Sequence, residues 1–348
     1  MKRSSLYFTS PLEVAIGEEP LPEPAPDQVL VQTAVSAISP GTEMLIFRGE
    51  MPAGMTADAT IGALAGELAY PLKYGYAAVG RVIGAGSAVD QEWRERMGVP
   101  GQFVFGFNPH ETHFLAAPAE LQPVPQEMSP ETAAFLPNME TAVSFLMDAQ
   151  PMIGEQVVVF GQGVVGLLTT MLLAQYPLAG LITLDRHPLR RAWSQRLGAD
   201  VSLDPTVPDT LAQLRDYLGE QGPGDGADLV LELSGSPQAL DQAIAVTGYN
   251  GRILIGSWYG EKRADLNLGG RFHRSHMQLI SSQVSRIAPR WRGRWDKGRR
   301  LRTAWAMLAQ HAPMSLVTHR FPISDAAGAY RVLHERPQDA IQILLTYD

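Results

Sequence analysis

The strand-like run Val157-Val158-Val159-Phe160 leads without a linker into Gly161-Gln162-Gly163-Val164-Val165-Gly166, and an apolar helical stretch to Ala174 follows. No other stretch limits the fold so tightly. An unbroken apolar run of this length, bounded by turn residues, reads as a strand buried on both faces. The three glycines then have separate duties. Gly161 permits a tight turn, Gly163 lets a ligand approach the backbone, and Gly166 lets helix and strand pack closely. The amides that open the helix, at Val164 and Val165, are placed to hold a pyrophosphate through hydrogen bonds and the helix dipole.

The residues downstream repeat the pattern, with apolar strands at Leu181 to Leu184, Leu229 to Leu233, Ile253 to Ile255 and Met277 to Gln283 separated by helical stretches. Such alternation predicts a parallel sheet covered on both faces, an α/β doubly wound arrangement of the Rossmann kind. The second strand ends in Asp185, 19 residues after Gly166, close to the offset of an acid that binds a ribose 2'-hydroxyl. This favours NAD over NADP as the dinucleotide. Arg186 keeps NADP open, because an arginine beside the ribose can pair with a 2'-phosphate. A plain helix-capping role for Asp185 is the structural alternative.

Residues 1 to about 125 read differently, as short strands broken by Gly and Pro, for example Val29 to Val35 after the proline-rich Pro20 to Pro26. A helix is expected from Ser129-Pro130-Glu131 toward Asp148, with Ser129 as cap and Pro130 in the first turn. The expected division is a mostly β catalytic part over 1–150, a dinucleotide-binding domain over 151–284, and a tail over 285–348 able to return to the first part. A chain of 348 residues has room for two cores.

With no cysteine in the chain, disulfides, thiolate nucleophiles and cysteine-containing zinc sites are excluded. The net charge of -8 gives no global attraction to nucleic acid or anionic lipid, so neither is an expected partner. Met1-Lys2-Arg3 is not followed by the apolar run of a signal peptide, and the longest apolar helix, Val164 to Ala174, is far short of a membrane span. A cytoplasmic protein with no membrane partner is expected.

Gly161 to Gly166, Arg191-Ala192 with Leu197-Gly198-Ala199-Asp200, Gly226-Ala227-Asp228-Leu229-Val230 and Gly251-Arg252-Ile253-Leu254-Ile255-Gly256 together resemble the medium-chain dehydrogenase/reductase superfamily. The likeness covers nearly the whole chain. It implies a GroES-like catalytic domain built from the N-terminal part plus the tail, a nicotinamide cofactor contacted by residues that include Thr141, and oxidation of an alcohol or its reversal. Ser39-Pro40-Gly41-Thr42-Glu43, Lys73-Tyr74-Gly75-Tyr76, Asn108-Pro109-His110 and a Trp/Arg-rich linker resemble the branch around bacteriochlorophyllide a dehydrogenase. The resemblance breaks at the metal. Positions that supply zinc ligands in zinc-dependent members carry Pro40, Tyr76 and Pro137, and no structural zinc loop is present, so the expectation is an enzyme with no zinc and no other metal.

Hydride transfer to a carbonyl needs a group that polarises the oxygen and a route for one proton. Tyr76, in a former ligand position, is the candidate for the first, with Lys73 as a nearby cation. Thr42 matches a relay hydroxyl of the relatives, and His110 is the candidate to complete the relay. The plain readings are that Tyr76 fills the space of a lost ion and His110 satisfies a turn. Glu43 and Glu140 read as structural partners.

The segment Arg286 to Arg302 holds eight basic residues, one acid, Asp296, and the indoles Trp291 and Trp295; it suits an anionic or aromatic small-molecule substrate, but the plain reading, a solvated helix entry or a subunit contact, is preferred. The leading expectation is an NAD(P)-dependent oxidoreductase acting on a hydroxyl/carbonyl pair, working as a homodimer through the last sheet strand. A zinc-free enoyl or quinone reductase and a non-catalytic dinucleotide-binding protein are the rivals.

Overall fold

The computed structural model describes residues 2–52, 54–56, 60–97, 102–219 and 225–347. Two units emerge, Met1–Pro137 with Trp305–Asp348, and Asn138–Ala304. Trp305–Asp348 groups with the N-terminal part, whereas residues 138–150 and 285–304, expected in the first part and the tail, fall in the second unit.

The first unit opens with the antiparallel pair β1 (Lys2–Ser10) and β2 (Glu13–Pro20). Its main sheet contains β3 (Val29–Ala37), β4 (Ala78–Ala85), β5 (Val104–Gly106), β6 (His113–Ala116) and β7 (Leu121–Pro123). Alternate residues of β3, Val29 and Val31, point into a core with Ala78, Val104, Phe114 and Leu121, the two-residue period of a strand with one buried face. The expected helix after Ser129 is two helices, Pro130–Ala133 and Leu136–Ala149. Ser129 caps the first, its hydroxyl accepting from the Thr132 amide at 3.1 Å.

The second unit is built on β8 (Gln156–Phe160), β9 (Gly180–Leu184), β10 (Val201–Leu203), β11 (Ala227–Glu232), β12 (Thr247–Ile255) and β13 (Gln278–Ser281). All pairs are parallel, and the order is β10-β9-β8-β11-β12-β13. Val158, Phe160, Val230 and Ile253 pack on one face with Leu240 and Ile244. Val157, Val159, Leu231 and Leu254 pack on the other with Phe145 and Leu173. Both faces are dry, which is why these strands read as unbroken apolar runs.

The chain then returns through helix Lys297–His311 and β14 (Val317–Pro322), helix Ala326–Glu335 and β15 (Gln342–Thr346). β15 pairs antiparallel with β3, matching Leu345 with Ser36, so the last strand completes the sheet that the first strands began. Among the described residues no helix is long and apolar enough to cross a membrane.

Candidate functional site

In the parallel sheet β8 lies between β9 and β11, the point where strand order reverses and ligands bind at the carboxyl ends of the strands. The loop leaving β8 has the geometry the glycines require. Gly161 has φ of +91° and donates its amide to Leu184 O at 2.8 Å. A Cβ there would come within 2.6 Å of the Ser234 amide nitrogen. At Gly166 a Cβ would lie 2.0 Å from Gly161 O, so the helix Val164–Leu173 is pressed against its own entry loop. Gly163, the cap of that helix, has nothing within 4 Å of its would-be Cβ. That side is open to a ligand.

Asp185 is buried, and its carboxylate is held in place. It accepts from the amide of Gln162 in the glycine loop and from the amide of His187, each at 2.8 Å, with Arg190 Nη1 at 4.0 Å. Arg186 is exposed and turns its Nε to His187. Burial and the arginines Arg190, Arg186 and Arg191 lower the pKa of His187 against the opposing pull of Asp185. Thr141 is half-buried in helix Leu136–Ala149.

In the first unit the phenol of Tyr76 donates to Ser39 Oγ at 2.5 Å and lies 3.4 Å from Thr42 Oγ1. Thr42 sits at the N-terminus of helix Glu43–Arg48. Three hydroxyls thus meet where a strand-side loop faces a helix start.

Behind them stands a buried network. Glu43 accepts from the Ser39 amide at 2.7 Å through one oxygen. Its other oxygen lies 3.0 Å from His110 Nε2 and also accepts from the Tyr330 phenol. His110 Nδ1 meets Ser36 Oγ at 2.6 Å, and Ser36 meets the Tyr347 phenol at 2.7 Å. His110 is fully buried, and a Cβ at Gly75, φ +121°, would lie 2.7 Å from its ring. Lys73 joins a third cluster, bonded to Glu19 and to Glu111, the latter at 3.2 Å. Of the four residues proposed for chemistry, Tyr76 and Thr42 come together, while the polar atoms of His110 and Lys73 are occupied in other networks.

The basic segment is largely tied down. Arg290 donates to the Asp148 carbonyl at 2.7 Å and both Arg290 and Arg294 lie over the Trp291 ring. Arg299 covers Trp295 at 4.2 Å. Arg300 is buried against Glu140 at 2.9 Å; Glu140's carboxyl is pushed up by burial, against the pull of Arg300.

Residues 164–297 match the family model described as zinc-binding dehydrogenase. D-guloside 3-dehydrogenase of Escherichia coli is 26% identical over 298 residues, 81% of each chain. The 2-desacetyl-2-hydroxyethyl bacteriochlorophyllide A dehydrogenase of Cereibacter sphaeroides is 25% identical, covering 100% of this chain and 99% of its own. Among solved structures, an Escherichia coli oxidoreductase/dehydrogenase of unknown specificity superposes with TM-score 0.77 at 18% identity, covering both chains fully. Through these matches the chain is similar to the medium-chain dehydrogenase/reductase superfamily. It is an alcohol dehydrogenase-like oxidoreductase.

The zinc of zinc-binding dehydrogenases does not suit this chain's side chains. Pro40 and Pro137 offer no side-chain donor, and Tyr76 is engaged with two hydroxyls. Among the described residues no group of three or more His, Asp or Glu is placed to hold a metal ion. Sequence reasoning passed over Ser39 as a functional group, although it stands beside Pro40 in a quoted motif. Tyr330 and Tyr347 left no local signal, being 287 residues from Glu43 and 311 from Ser36 respectively.

Proposed function

We propose that this dehydrogenase transfers hydride between NAD(H) and a secondary alcohol or ketone of a small organic metabolite without zinc, Tyr76 acting on the substrate oxygen. The observation that carries the reading is the hydroxyl cluster of Tyr76, Ser39 and Thr42. A bound nicotinamide supplies the hydride donor or acceptor at its C4. In the reducing direction Tyr76 gives its proton to the carbonyl oxygen as that oxygen gains negative charge. Thr42 and Ser39 hold the phenol in place and offer hydroxyls through which its proton is restored. In the oxidising direction the same groups receive the proton. Glu43 and His110 support the Ser39 loop from behind.

Asp185 supports NAD as the cofactor. Two backbone amides fix the carboxylate, and a fixed carboxylate accepts from a ribose diol while repelling a 2'-phosphate. The glycine loop, with Gly161, Gly163, Val164, Val165 and Gly166, would hold the pyrophosphate, and Thr141 and Arg186 would complete the contacts. Partly exposed Leu279 on the edge strand β13 is the natural surface for pairing two copies.

The test is titration of the purified protein with NADH and NADPH, followed by turnover against ketones, enones and quinones. Tighter NADH binding with ketone reduction supports the proposal. NADPH preference removes the cofactor assignment; turnover of enones alone removes the alcohol assignment. Cofactor binding with no turnover would make the chain a binding protein.

A further inference from the structure

Beyond the glycine loop and Asp185, the second unit contains a buried carboxylate for which the proposed chemistry has no use. Glu232 ends β11 and is fully buried. It stands in register with Phe160 of β8 on one side and Ile255 of β12 on the other, so it lies at the carboxyl edge of the sheet between two crevice loops. The main chain ties it to both neighbours: Leu233 donates to Phe160 O at 2.8 Å, and Gly256 donates to Glu232 O at 3.1 Å.

The side chain then bridges the loops. Its Oε1 accepts from the Ser234 amide at 2.8 Å and from the Ser234 hydroxyl, which fixes the loop after β11. Its Oε2 accepts from the Tyr259 phenol at 2.7 Å, which fixes the loop after β12. A second tie runs the other way: Gly235 donates to Ser257 Oγ at 2.8 Å, and that hydroxyl donates to Glu232 O at 3.3 Å. Burial, and then the Glu232 charge and hydrogen bond, push the Tyr259 phenol far up, so it stays a donor throughout the working pH range. Leaving such a carboxylate buried without these donors costs more than the bonds contribute, so the two loops are expected to move as one body.

The position of this bridge gives it a role. Asp185 lies at the end of β9, to one side of β8, and marks the adenosine half of a dinucleotide; the other half must then run past Gly163 toward the ends of β11 and β12. We propose that Glu232 and Tyr259 are positioning residues that clamp the 234–236 and 257–259 loops at the height the nicotinamide half requires. They act through backbone, and no contact with the substrate is implied. The proposal rests on the dinucleotide reading above.

A pair of ligands separates the clamp from general stability and from that reading. Tyr259→Phe keeps the ring and removes only the hydrogen bond. Its affinity for NADH, read by tryptophan fluorescence quenching, should fall about tenfold, the scale of one hydrogen bond to a charged group. Its affinity for ADP-ribose, which shares every group except nicotinamide, should stay within a factor of two. Glu232→Gln, which retains one carbonyl oxygen, should fall between wild type and Glu232→Ala for NADH. Unchanged NADH affinity in Tyr259→Phe, or an equal loss for NADH and ADP-ribose, would overturn the clamp. A wild-type protein that binds neither ligand would instead remove the dinucleotide reading, and the clamp with it.

Discussion

Tyr76 combines a phenol that donates at neutral pH with a hydroxyl on each side, and this places the sharpest prediction of activity on a single oxygen atom. Tyr76→Phe should lower kcat/KM about 10²-fold or more, the range for a lost proton donor or oxyanion partner. NADH affinity and melting temperature should change little, since the ring and its edge contact with Tyr74 remain. A near-silent Tyr76→Phe alongside a destabilised Tyr76→Ala would show that the side chain only fills space. Ser39→Ala is the companion measurement. It removes the phenol's 2.5 Å partner and should reduce kcat while leaving cofactor affinity alone. His110→Ala should act differently from either, because it leaves the buried carboxylate of Glu43 without one of its donors; its first effect should be lost stability.

At the scale of elements, the turn from β8 into its helix is the tightest fit in the dinucleotide unit. Gly166→Ala would set a methyl 2.0 Å from Gly161 O, and backbone atoms cannot yield as a side-chain tip can. The helix must shift away from the strand. Binding of NADH should weaken by at least tenfold, and thermal unfolding should drop, by the 1–3 kcal/mol typical of an overpacked core. Gly163→Ala meets no protein atom, so it should fold like wild type and lose cofactor affinity alone. The contrast between the two is readable by combining calorimetry with NADH titration.

The β1–β2 hairpin carries a prediction of another kind. Burial works against ionising Glu19, but hydrogen bonds from Lys73 and Ser5 and the charges of Lys73 and Arg3 outweigh it and hold the carboxyl at about 2. The folded value lies below the ordinary 4.5. The stabilisation is therefore complete above about pH 4.5 and is lost as the pH falls toward about 2. Melting temperature against pH should decline through that window. Lys73→Met should flatten the decline relative to wild type, and equal slopes would show that Glu19 gains nothing from the cluster.

For the whole molecule the prediction concerns metal. Elemental analysis of tag-free protein should find no stoichiometric zinc, and a chelator should leave activity unchanged, because Pro40, Tyr76 and Pro137 provide no tetrahedral set of nitrogen and sulfur donors. One tightly held zinc per chain, with activity lost to a chelator, would sink the mechanism. The split of the chain matters at the same scale. With β15 between β14 and β3, truncation before Gln342 would remove the buried Ile343, Leu344 and Leu345 and leave β14 and β3 with unpaired edges, so the loss should reach the N-terminal half.

Much of the parallel-sheet unit was legible because its signals are local. A strand buried on both faces must be apolar throughout, a turn at positive φ favours glycine, and an acid at the end of the second strand lies at a fixed distance along the chain. Those constraints act over about twenty residues or fewer, so they leave a mark in Val157 to Gly166 and at Asp185. The short β10 left almost none, with three residues of intermediate burial. Other features depended on residues remote in sequence. The sequence placed Tyr76, Thr42, His110 and Lys73 on a list of candidates by type and spacing, but only the fold assigned His110 to Glu43 and Ser36, Lys73 to Glu19 and Glu111, and Tyr76 to Ser39. Hydrogen bonds between side chains far apart along the chain impose no period on it. By itself the sequence determined the dinucleotide turn, the doubly wound sheet and the absence of any cysteine; tertiary structure decided which hydroxyls meet, because a buried polar group takes its partner from whatever the packing brings within about 3 Å of it.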